Sequence, residues 1–146
     1  MIATFDVQFK RVFERQPNID FIRNGHLIYG IRFRQLETSF GTLIEWIKDY
    51  EQHREKPPKT VRVKEEDISI FISCKSIDEG EANTKHIGRF SIGDDWEGEA
   101  FSFVAPIETV MNTIYQRMRE YAQNYPMDFS NLLLDDRWTK LPVDSF

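Results

Sequence analysis

Residues 93–104, GDDWEGEAFSFV, set Asp94, Asp95, Glu97 and Glu99 around Trp96 and then run into an alternating stretch. Four carboxylates so close together could hold a cation, form a general acid and base, or face a partner. A calcium loop of the EF type needs oxygen ligands at alternate positions, a Gly at the sixth and a Glu at the twelfth. Counted from Asp94, Trp96 falls third, Gly98 fifth and Ala105 twelfth, so that pattern fails. An acid–base pair needs two carboxyls in unlike environments, roughly 5–10 Å apart across a cleft. Neighbouring acids on one turn share a single wet environment instead. What remains is contact: an indole ringed by charges has the composition of an interface hot spot, with the acids steering a basic partner. Composition leaves open whether Trp96 faces solvent or folds back into the core.

The same mixture recurs. KEEDI contributes Glu65, Glu66 and Asp67, and LLLDDRWTK contributes Asp135, Asp136 and Trp138. Residues 1–64 carry twelve Lys/Arg against eight Asp/Glu, a balance of +4, whereas residues 65–146 carry seven against sixteen, a balance of −9. An acidic half repels phosphate backbones and draws a basic protein over about a Debye length. The expected partner is therefore a basic protein, contacted by Asp94, Asp95, Trp96, Glu97, Glu99 and the two flanking clusters. Nucleic acid is not expected to bind directly.

Other chemistries lack their signatures. His26, His53 and His86 are isolated in sequence, without the HxxxH or HxH spacing of a metal site. Cys74 lies on an alternating strand beside Ile68, Ile70 and Ile72, where a thiol is an inert hydrophobe. There is no GxSxG elbow, Walker loop or GxGxxG fingerprint. No catalytic residue, metal or cofactor is expected. A lone cysteine permits no internal disulfide and suits a reducing compartment. The first residues lack a basic stretch followed by an apolar one, and no apolar run approaches the ~20 residues of a membrane span. These features together predict a soluble, cytoplasmic protein.

The elements that must position these residues follow from periodicity and turn chemistry. Phe5, Val7 and Phe9 alternate as in a strand, while Phe5, Phe9, Val12 and Phe13 also share a helical face; the second pattern is taken, ending at RQPN. Asn24-Gly25 between apolar runs predicts a tight hairpin, with a bulge or close backbone approach at Gly30. Phe40, Leu43, Ile44, Ile47 and Tyr50 predict an amphipathic helix over 38–56, capped by Thr38 or Ser39, with Arg54 and Lys56 complementing its dipole before Pro57-Pro58. Strands are expected at 60–64, 67–75, 86–92 and 99–105. Pro106 can open a second helix whose apolar stripe is Ile107, Val110, Met111, Ile114, Met118, Tyr121 and Ala122. Residues 128–146 are expected to wrap the body as a tail. The whole is an α+β fold: one domain over 1–146, with a mainly antiparallel sheet covered by two long helices.

A small, acidic, cysteine-poor α+β chain without catalytic motifs, bearing GDDWEGE and LLLDDRW, resembles the immunity proteins that neutralise bacterial contact-dependent or polymorphic toxins. That resemblance implies a fold that binds one cognate toxin, commonly a basic nuclease domain, and blocks its active site or its access to substrate. It assigns no role to any individual position. Two alternatives stand beside it. One is a subunit of a stable assembly, dimerising through Phe101 and Phe103 on an exposed edge strand. The other is an enzyme whose histidines and central carboxylates converge only in three dimensions.

Overall fold

The computed structural model describes residues 5–13, 16–32, 36–64, 68–77 and 87–124. The order is β1 (Phe5–Phe13), β2 (Gln16–Arg23), β3 (His26–Arg32), α1 (Leu36–Gln52), β4 (Val61–Lys64), β5 (Ser69–Ser76), β6 (Ile87–Asp94), β7 (Gly98–Pro106) and α2 (Ile107–Asn124). The fold is α+β, with antiparallel pairing throughout. Its strands divide into two sheets rather than one, a three-stranded β1-β2-β3 and a four-stranded β4-β5-β6-β7. The helices span 17 and 18 residues.

The opening segment is a strand, not a helix. β1 pairs along its length with β2, from Phe5 opposite Arg23 to Phe13 opposite Gln16. Both periods fit the apolar residues of this stretch, and the neighbouring hairpin decides between them by presenting a ready ladder. Pro17 does not stop the chain; it lies in β2 opposite Arg11, where the register shifts and a ladder bond is dispensable. Asn24 (φ 52°) and Gly25 (φ 82°) form the expected two-residue turn, since both occupy the left-handed region that such hairpins require. The bulge falls between the pairs Phe21–Tyr29 and Ile22–Leu27, so Ile28 is the extra residue and Gly30 pairs normally with Asp20.

α1 begins at Leu36, which places Thr38 and Ser39 inside the first turns rather than at the cap; the Thr38 carbonyl accepts a bond from the Thr42 hydroxyl at 3.0 Å. Its last turn holds no basic residue, because the helix ends at Gln52 and Arg54 lies beyond it. Arg54 instead reaches Glu51 at 3.6 Å and Glu108 of α2 at 3.8 Å. All the expected apolar positions of α1 are buried, joined by Trp46, whose indole N–H donates to the Lys59 carbonyl at 2.6 Å. In α2 the whole expected stripe is buried together with Tyr115. Pro106 closes β7 and Ile107 starts the helix.

The inner face of the larger sheet supplies Val61, Val63, Ile70, Ile72, Phe90, Ile92, Phe103 and Ala105 to a core shared with both helices. Phe90 stacks on Phe103 at 5.4 Å, Phe103 on Phe101 at 5.9 Å, and Phe101 meets Phe21 of β2 at 6.1 Å. This aromatic column joins the two sheets. Beside it the Arg23 guanidinium donates to the Ser102 carbonyl of β7 at 2.9 Å. Phe103 is buried and Phe101 half-buried, so neither forms the exposed edge patch expected for a dimer interface. On the far side, Arg117 of α2 holds Asp6 of β1 through two bonds of 3.0 and 3.2 Å.

Candidate functional site

Residues 93–104 form the tip of the β6–β7 hairpin and most of β7. Asp94 ends β6, Gly98 opens β7, and residues 95–97 form the turn between them. Asp94 is buried to 9% exposure, and its Oδ1 accepts from the Trp96 amide at 2.9 Å and from the Glu97 amide at 2.8 Å. One carboxylate oxygen thus satisfies two main-chain donors that a tight turn would otherwise leave unpaired. Asp95 ties the tip sideways to β5: its amide donates to the Ser69 carbonyl at 3.0 Å, and its Oδ1 accepts from the Ser69 amide at 3.0 Å.

Two glycines are required here. Gly98 sits at φ 78°, where a side chain is strained, and a Cβ on Gly93 would stand 2.0 Å from the Gly98 carbonyl oxygen. The backbones at the base of the hairpin touch, and the register shift between Ile92 and Gly93 makes Ala100 the extra residue. The result is a turn whose shape is dictated by Asp94, Asp95, Gly93 and Gly98 together.

The four acids therefore divide into two kinds. Asp94 and Asp95 each commit Oδ1 to main-chain amides and so build the turn, Asp94 buried and Asp95 exposed. Glu97 and Glu99 are exposed, and among the described residues no basic side chain is bonded to either. Trp96, just before them, is 72% exposed, one of the two large apolar side chains the described residues present to solvent; the other is Leu27, at 63%, beside the β2–β3 turn. The indole faces outward rather than folding into the core.

Glu65, Glu66 and Asp67 lie outside the described residues, as do Asp135, Asp136, Trp138 and the 128–146 segment. The flanking residues Lys64 and Ser69 pair with one another at the same end of the sheet as the β6–β7 tip. His26 is exposed at the start of β3, His53 is exposed just past α1, and His86 is outside the described residues. No group of three or more His, Cys, Asp or Glu among the described residues could hold a metal. Cys74 packs against the core, and burial pushes its thiol up to about 12, leaving no thiolate at neutral pH. No helix among the described residues is long and apolar enough to cross a membrane.

The sequence pattern missed the division of labour among the acids. Adjacent Asp residues before a turn are the side chains that most readily bond their own backbone two residues on, and that is the signal that could have found it. No family model, curated protein or solved structure matches this chain.

Proposed function

We propose that this protein is a binding module whose β6–β7 tip docks on a basic protein, and that its partner is a toxin domain, an immunity protein's nuclease target. The observation that carries this reading is Trp96, 72% exposed on a turn that Asp94 and Asp95 hold in one shape. Exposing an indole to water costs hydrophobic free energy, and a rigid turn loses little entropy when the indole is finally covered. Glu97 and Glu99 follow it directly in the chain, both exposed, and so can attract a cationic groove of the kind a nuclease offers to nucleic acid. Asp94 and Asp95 belong to the scaffold of this surface. The reading assigns the protein no catalysis and no cofactor.

The direct test is co-purification with the variable C-terminal domain of a secreted protein encoded beside it, together with rescue of a cell poisoned by that domain. Binding and rescue are expected, and failure of both would overturn the immunity reading. Within such a complex, Glu97→Lys with Glu99→Lys should slow association at low salt by about tenfold, while Trp96→Ala should mainly speed dissociation. An association rate that stays the same at low salt would remove the steering role from these two glutamates.

A further inference from the structure

The outer face of the four-stranded sheet has the opposite chemistry to its tip. Strand alternation sends Val61, Val63, Ile70, Ile72, Phe90 and Ile92 inward, and the residues between them outward. The outward set includes Arg62 and Lys64 on β4, Lys75 on β5 and Arg89 on β6, all four exposed. Arg89 is cross-strand from Lys75. No acidic side chain among the described residues is bonded to Lys64, Lys75 or Arg89. The acids carried by these four strands are Asp94 and Glu99, both at the turn end.

Between the two cationic pairs, Ser73 lies opposite Ser91 and Ser91 opposite Ser102, a row of hydroxyl-bearing positions across three strands. The half-buried Phe71 sits on this same face, with the Arg62 guanidinium 5.8 Å above its ring. Exposed cations, half-buried serines and an aromatic–guanidinium platform on one sheet face are groups that grip phosphates and stack on bases.

We infer that this face binds single-stranded nucleic acid, the phosphates running between the Arg62–Lys64 and Lys75–Arg89 pairs and a base stacking at Phe71. Four residues separate Phe71, the cross-strand neighbour of Arg62, from Lys75. At about 3.3 Å per residue that is ~13 Å, too far for one phosphate group to bridge and suited to a chain of them. The platform at Phe71 is what favours a nucleic acid over an acidic peptide. The overall charge of −5 does not forbid this. Arg89 lies five residues from Asp94 along β6, about 17 Å at ~3.4 Å per residue, beyond the ~10 Å Debye length at 0.1 M salt. The Lys75–Arg89 pair is therefore screened from the acids, whereas Lys64, opposite Ser69, stands at the acidic end of the face. Counting charge by halves of the chain hid the separation, because alternation sorts charge by face rather than by position along the sequence. This site is independent of the proposed role of Trp96.

The test is fluorescence anisotropy of a labelled twelve-residue oligouridylate titrated with the full chain between 50 and 200 mM salt. Binding is expected with a log–log salt slope of about −3, as four phosphate contacts on a single strand predict. Lys75→Gln with Arg89→Gln should weaken binding at least tenfold and roughly halve the slope, and Phe71→Ala should weaken it about tenfold. Trp96→Ala should change nothing. Arg62→Gln with Lys64→Gln serves as the matched pair should the first variant lower the melting midpoint. Absence of binding at 50 mM salt, indifference to both charge-neutralised pairs, or equal affinity for a polyglutamate of the same length would each overturn the inference.

Discussion

Two hairpin turns of this protein end in an exposed apolar side chain, Leu27 beside the β2–β3 turn and Trp96 on the β6–β7 turn, yet they are built by different means. The first is set by backbone conformation: Asn24 and Gly25 adopt positive φ, and no Cβ at Gly25 would touch anything. The second needs side chains and close packing. Asp94 bonds two amides, Asp95 bridges to Ser69, and Gly93 admits the Gly98 carbonyl against its backbone. A turn of the first kind sets register and no more. A turn of the second kind fixes one conformation at the position where Trp96 and two exposed glutamates are displayed, which is what a recognition surface requires.

The sharpest way to break the contrast is at Gly93. Gly93→Ala places a methyl 2.0 Å from a main-chain oxygen that cannot swing aside, so the hairpin must open or the chain must shift. A loss of about 3 kcal/mol or more is expected from chemical denaturation, at the upper end of overpacking costs. A loss below about 1 kcal/mol would show that the two backbones can part cheaply. Next comes Asp94→Ala, which strands two turn amides and empties a buried position. About 2 kcal/mol should be lost, as for a strong capping residue, while Asp94→Asn keeps the accepting oxygen and should recover most of it.

The same contrast explains what could be read from sequence. The β2–β3 turn was legible because Asn-Gly encodes its geometry in two adjacent residues. The apolar stripe of α2, from Ile107 to Ala122, was legible because period 3.6 has no rival over so long a stretch. β1 was misassigned because Phe5, Val7 and Phe9 satisfy period 2 while Phe5, Phe9, Val12 and Phe13 satisfy a helical face, and the partner strand that decides is not local. At the candidate site the residue types were legible but their uses were not. Asp94 and Asp95 are chemically the same as any surface acids until the hairpin brings amides to them. The cationic outer face was hidden for a further reason: Arg62, Lys64, Lys75 and Arg89 are scattered over 28 positions and meet only through the register of β4, β5 and β6.

Gly25→Ala tests the simpler turn. Nothing obstructs its Cβ, so the cost is the left-handed backbone alone, about 1 kcal/mol. A loss comparable to that of Gly93→Ala would mean that the two turns do not differ in kind. The smallest effect is expected at Trp96. Its side chain is 72% exposed, and the turn beneath it is held by the Asp94 carboxylate and the main-chain amides of residues 96 and 97, so Trp96→Ala should leave stability within about 0.5 kcal/mol and the melting profile nearly superimposable. A side chain that can be removed at no cost to the fold leaves its indole free for the proposed contact with a second molecule. A loss of more than about 2 kcal/mol on this substitution would instead tie Trp96 to the fold, and the tip would resemble the β2–β3 turn, a device for reversing the chain with no surface to offer.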